Sequence, residues 1–107
     1  MDTKELKKME KEIEGIKEEL MEIGEMRPGS LSQQYQNPKE KKGPYYQLSY
    51  MHKMKSRTDY VRPQFVEQTR NQIAAYKRFK ELTQRWIDLG IAHAKLRVEI
   101  AKKEMAK

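Results

Sequence analysis

Gly43 to Pro63 reads GPYYQLSYMHKMKSRTDYVRP, and this stretch decides the fold. Tyr46, Leu48 and Tyr50 alternate with Tyr45, Gln47 and Ser49, the period of two of a strand that rests one face on a core. Ser56 to Val61 restores β-branched and aromatic content, so a second strand is expected there. The four residues His52 to Lys55 between them predict a hairpin loop. Upstream, Ser30 to Gln36 reads as a further short strand with Leu31, Gln33 and Tyr35 on one side. Asn37-Pro38 and Gly43-Pro44 bracket a lysine-rich loop. A small antiparallel β element over residues 26–63 follows.

Outward from this element the apolar period changes to that of helices. Leu6, Met9, Ile13, Ile16, Leu20 and Ile23 recur at steps of 3 and 4, a heptad seam that predicts a helix over 1–25, stopped by Pro28 and Gly29. The residues between are nearly all Lys and Glu, with Glu14 one turn from both Lys11 and Lys17. Pro63 suits the first turn of a second helix, expected over 64–105. Leu82, Trp86, Leu89, His93, Leu96 and Ile100 form its outer seam, and Val66, Ile73, Tyr76 and Phe79 an inner stripe able to cover the sheet. On this seam Trp86 reads as a core filler, Gly90 as a point of close helix approach, and His93 as a half-buried residue whose ring reaches water. The fold class is α+β, a single domain over 1–107: a long antiparallel helical hairpin with the β element inserted between its helices. The seams fit one another within the chain, or each fits its copy in a homodimer or a partner coiled coil.

With 107 residues one core is the default. Charged and hydrophobic residues each make up 36%, so that core is narrow. The 23 bases exceed the 16 acids by seven, which favours an acidic partner such as nucleic acid. Charge is unevenly placed: residues 1–25 hold five Lys and nine acids, 26–63 eight bases and two acids, and 64–107 ten bases and five acids. Absence of cysteine excludes disulfides and thiolate zinc sites. No apolar run approaches the roughly 20 residues of a membrane span, and the start MDTKELKK has no apolar signal region, so a cytoplasmic protein without membrane attachment is expected.

The candidate nucleic-acid-binding residues are Lys39, Lys41, Lys42, Lys53, Lys55, Arg57 and Arg62, with Tyr45 and Tyr50. Cations neutralise phosphates and tyrosine rings stack on bases, while a β ribbon fits the major groove. The same lysines also suit a solvated loop, and the same tyrosines a thin core. His52 joins the basic segment, and Arg70, Lys77 and Lys80 extend it along the second helix or pair with acids of the first. Arg85 reads as structural. No cofactor or metal is implied, since His52 and His93 stand in different segments. A glycine-rich phosphate loop, a thiol and a carboxylate in an apolar context are all missing, so the chain does not read as an enzyme.

MRPGSLSQQY (Met26–Tyr35), GPYYQLSYMHKMKSRTDYVRP (Gly43–Pro63) and NQIAAYKRFKELTQRWIDL (Asn71–Leu89) together resemble a family of short prokaryotic proteins found near transposable elements. The resemblance spans residues 26 to about 100. Many such proteins carry a cysteine cluster between the β blocks, where this chain has QNPKEKK (Gln36–Lys42), so no metal site carries over. The resemblance implies DNA as the partner, while the residues themselves leave RNA open. The resulting expectation is a double-stranded DNA-binding module with a basic β tip on a helical stalk, linked to mobile elements. Its alternative is a protein-interaction adaptor acting through the coiled-coil seams without nucleic acid.

Overall fold

The computed structural model describes residues 2–37, 39 and 42–106; for Asp2, Gln36, Asn37 and Lys42 the description is of the backbone alone. In chain order the elements are α1 (Asp2–Glu22), β1 (Ser30–Asn37), β2 (Lys42–His52), β3 (Lys55–Val61), a 3₁₀ turn (Pro63–Phe65) and α2 (Val66–Met105). The chain is therefore α+β, and it divides into two compact units.

One unit combines residues 1–23 with 79–107. Lys and Glu between the apolar positions favour the helix of α1, and Lys17 reaches Glu14 at 3.2 Å. The helix stops at Glu22, well before Pro28, and the Ile23 N–H donates to Leu20 O at 3.2 Å. No base stands in its last turn, whereas Glu18, Glu19 and Glu22 add negative charge where the helix dipole is already negative. Extension to residue 25 would lengthen that unfavourable end. Ile16, Leu82 and Leu89 are buried together, flanked by Met9, Ile13, Leu20 and Ile23. The two helices run antiparallel here, with Glu12 accepting from Arg85 Nε at 2.7 Å and Glu10 at 3.8 Å from His93 Nε2. Both seams thus close within the chain.

Two seam residues differ from expectation. Trp86 is 36% exposed, and its indole lies along the rim with Lys17 Nζ 5.4 Å from the ring centroid, a cation–π geometry. Leu82 and Leu89 fill the helix contact without it. No neighbouring element comes close at Gly90, since a Cβ built there meets nothing within 4 Å. His93 is half-buried as expected, its side chain 20% exposed, and only its Nε2 atom is out of water and without a hydrogen-bond partner among the described residues.

The other unit is residues 24–78. Its antiparallel sheet has the order β1-β2-β3, which leaves β1 and β3 as edges. Leu31 opposes Leu48 and Leu48 opposes Asp59, while Tyr46 stands between Gln33 and Val61. Directly opposed residues share a face, so one face carries Leu31, Tyr46, Leu48, Tyr50 and Val61. These close on Val66 and Ile73 of α2, and Leu48 is wholly out of solvent. Thr69 is also buried, its hydroxyl donating to Phe65 O at 2.8 Å, which satisfies the polar atom inside the helix. The strand pattern of Tyr46, Leu48 and Tyr50 is the one seen.

Two local features depart from the sequence reading. His52 and Lys55 pair in register, so the hairpin turn has two residues, Lys53 and Met54, rather than four. Both have positive φ, 51° and 65°, as the twist-matched two-residue turn requires. Pro63 opens the 3₁₀ turn and stands just ahead of α2.

Candidate nucleic-acid interface

The register sorts the candidate residues by face and by end of the sheet. On the face opposite the apolar cluster lie Ser30, Ser32 and Gln34 of β1, Tyr45, Gln47, Ser49 and Met51 of β2, and Ser56, Thr58 and Tyr60 of β3. None of them is buried and none is acidic. This open face offers hydroxyls and amides. At its centre the rings of Tyr45 and Tyr60 stack at 5.5 Å between centroids and 7° between planes. Diagonal neighbours on adjacent antiparallel strands are within reach of aromatic side chains, so the stack follows from the register.

Tyr50 is on the other face. It packs against the buried cluster, and the Arg27 guanidinium lies 5.1 Å from its ring centroid. Arg27 also donates to Asp59 at 2.9 Å. That guanidinium, helped by the Tyr50 hydroxyl, holds the Asp59 carboxyl below the ordinary aspartate value of 3.8. Asp59 is thereby committed within the unit. Arg27, Met26, Pro28, Tyr50, His52 and Gln72 line a shallow hollow beside it. The Arg27 N–H donates to Gln72 O at 3.1 Å, and Gln72 donates to Glu25 at 3.1 Å, which fixes the segment that enters β1.

The basic residues fall into two groups. Lys53, Lys55 and Arg57 are exposed around the β2–β3 turn, with Arg57 opposite Tyr50 and Lys55 opposite His52. Arg62 follows β3 at the far end, the end where β2 begins with Lys42, and Lys39 is exposed in the connection there. Lys41 lies outside the described residues, as does the side chain of Lys42. Ten steps of β2 separate Lys42 from His52, about 33 Å, whereas Arg57 and Arg62 are five residues apart along the β3 edge, about 17 Å. A single basic tip is therefore not what forms; the cations rim both ends of one sheet.

Residues 24–78 hold eleven bases and four acids, a net +7, whereas the remaining residues hold twelve of each. Arg70 and Lys77 of α2 line a groove with Gly29, Ser30, Leu31 and Ile73, which extends the positive surface along the β1 side. Arg85, in the neutral unit, is tied to Glu12.

Sequence reading places Tyr60 among the tyrosines interleaved with the basic residues but misses Arg27 and Asp59 as neighbours of the site. Their contacts depend on the β2–β3 register, in which Met51 pairs with Ser56 as the expected four-residue loop also implies, and on the approach of Arg27 from the segment before β1, which no sequence period signals. Among the described residues no group of three His, Asp or Glu could hold a metal ion. No helix among them is long and apolar enough to cross a membrane.

No curated protein and no solved structure matches the chain. Residues 6–71, from α1 through the sheet into the start of α2, match the family described as Domain of unknown function (DUF6788). Since that match covers more than half of the sequence, the chain belongs to the DUF6788 family.

Proposed function

We propose that residues 24–78 form a nucleic-acid-binding unit that lays the open face of its sheet in the major groove of double-stranded DNA. The observation that carries the reading is the open face itself: acid-free, rich in Ser, Thr, Gln and Tyr, and rimmed by cations at both ends. Three strands at about 4.8 Å spacing are about 10 Å across, against a groove about 12 Å wide. Gln47, Ser49 and Thr58 would meet base edges. Lys53 in the turn would meet phosphates at one end and Lys39 and Arg62 at the other, while Lys55 and Arg57, which share the face of His52 and Tyr50, would have to reach round the exposed edge strand to join them. Tyr45, stacked on Tyr60, would offer a ring face. Tyr50 would act through Arg27 and Asp59 by holding the shape of the sheet.

The duplex is preferred to single strands because the width of the sheet suits a groove and because of the likeness to proteins found near transposable elements. A cytoplasmic setting and a link to mobile elements belong to the same proposal. The competing reading is a protein-interaction adaptor acting through the helix seams. Those seams are already closed on each other by Ile16, Leu82 and Leu89, so that reading would have to use a different face of α2.

Titration of a labelled duplex at 50–200 mM salt tests the proposal. Several phosphate contacts give a steep decline of log K with log salt, about 0.9 per contact. Replacing Lys53, Lys55 and Arg57 together with Ala is expected to weaken binding at least tenfold and to flatten the slope by between two and three, roughly three contacts' worth. Absence of binding at the lowest salt, or an unchanged slope in the triple variant, would transfer the assignment to the adaptor.

A further inference from the structure

The part of α2 beyond residue 86 has a second apolar stripe, on a face that α1 does not cover. Ile87, Ile91, Ala94, Val98, Ala101 and Met105 recur at steps of 4, 3, 4, 3 and 4, a heptad pattern separate from the one buried against α1. Ile87 is 55% exposed, Ile91 and Val98 52% each, and Met105 86%. Ala94 and Ala101 are exposed as well. A helix that closes one seam inside its own unit and leaves a second one five turns long in water carries more apolar surface than the unit itself uses.

We infer that this stripe is a self-association surface, on which a second copy of the chain packs its own α2 antiparallel. Three features of the stripe favour that occupant over any other. First, it is self-complementary under a twofold axis beside residue 96. Ile87 then opposes the partner's Met105, Ile91 the partner's Ala101, and Ala94 the partner's Val98, so each apolar position meets an apolar one, and a small residue takes part in every layer of the central section. Such an isologous contact closes at two subunits. Second, the small residues let the helices approach, since Ala94 and Ala101 present only a methyl group.

The third feature is charge. With the helices antiparallel, Asp88 on one flank faces the partner's Lys102, and the symmetry repeats the pair. Lys95 and Arg97 come near their own copies at the axis, but Glu99 stands one turn from Lys95 on the same helix. A parallel pairing would instead set Arg97 beside the partner's Lys102 on both flanks, with no acid opposite either. The antiparallel arrangement is the one with attraction in it. This inference does not depend on the nucleic-acid reading.

The absence of cysteine makes the test direct. Sedimentation of the full chain from about 1 to 200 µM is expected to show a monomer–dimer equilibrium, and Ile91→Glu to weaken it at least tenfold with unchanged helical circular dichroism. Orientation is read by mixing two full-length proteins of different mass, one Ile87→Cys and the other Met105→Cys, under mild oxidation. An antiparallel pair gives the mixed disulfide. In a parallel pair the two positions are 18 residues, about 27 Å, apart along the axis, and each protein links only to itself. A monomer at 200 µM, a dimer insensitive to Ile91→Glu, or self-linked products alone would each overturn the inference.

Discussion

Gly29→Ala tests the packing of the sheet unit at its tightest point. Gly29 has φ +143°, a conformation that L side chains rarely adopt, and it precedes the first residue of β1. A Cβ there would be 2.5 Å from Leu48 Cδ1, 3.0 Å from Leu48 Cγ and 3.2 Å from the Ser49 carbonyl oxygen. Leu48 has no solvent-exposed surface into which it could retreat. The backbone strain costs about 1–3 kcal/mol and the overpacking about 1–3 kcal/mol, so a loss of roughly 2–6 kcal/mol is expected. With a slope of about 1.5 kcal/mol per M, a loss of about 3 kcal/mol moves the urea midpoint down by about 2 M. Tyrosine signals from β2 and β3 follow this unit, while Trp86, the chain's single tryptophan, follows the other. Gly15→Ala supplies the contrast: it lies mid-way along α1 with nothing within 4 Å of a built Cβ, and alanine there should stabilise by about 0.5–1 kcal/mol. A loss below about 1 kcal/mol for Gly29→Ala, or a loss equal to that of an alanine placed in open space, would refute the argument that Leu48 and the backbone together exclude a side chain.

Three further outcomes follow from particular contacts. Replacing Lys53 and Met54 with Asn and Gly, residues that tolerate the positive φ of both turn positions, should raise the thermal midpoint, by about 4–8 °C for each kcal/mol of relieved strain; no change would mean the turn is unstrained. Because the folded-state pKa of Asp59 lies below 3.8, its contribution to stability is present above that value and is lost as pH falls through the folded-state value. Asp59→Asn should therefore remove part of the acid-side slope in stability measured between pH 5 and pH 2, and an unaltered slope would count against the Arg27 pairing. Leu82→Ala, which empties a buried position between Ile16 and Leu89, should cost about 2–5 kcal/mol by chemical denaturation, while Trp86→Ala, at the rim, should cost less than Leu82→Ala.

Much of the architecture is legible because period is a strong signal. The alternation through Tyr46, Leu48 and Tyr50 gave the buried face of β2, and steps of 3 and 4 through Ile16 and Leu82 gave the helix contact. What failed was finer than a period. The heptad pattern assigned Trp86 to the core, but the pattern has no term for ring size, and two leucines a turn away on either side suffice. Gly90 invites a close-packing story that no neighbour supports, and Ile87, Ile91 and Val98 went unread because the first seam already explained the helix. At the candidate site the individual bases could be named, but not their grouping. Lys39 and Lys53 are separated in sequence by a single strand, and a strand of that length carries its two ends far apart.

The partition of charge links these levels. In the helical unit acids and bases balance, and several are held against each other, as Glu12 with Arg85 and Glu14 with Lys17. Such exposed pairs add little stability, typically less than about 1 kcal/mol each, so their consequence is a surface close to neutral. In the sheet unit Asp59 is already paired with Arg27, and an excess of seven positive charges is left over that no folding requirement explains. Uncompensated like charge opposes compaction and is costly to keep on a 55-residue unit, roughly half the chain, unless something outside it supplies the opposite sign. A polyanion that meets the open face between the two cationic ends supplies it directly, which is why the slope of binding against salt, rather than affinity at one salt concentration, is the measurement on which the functional reading turns.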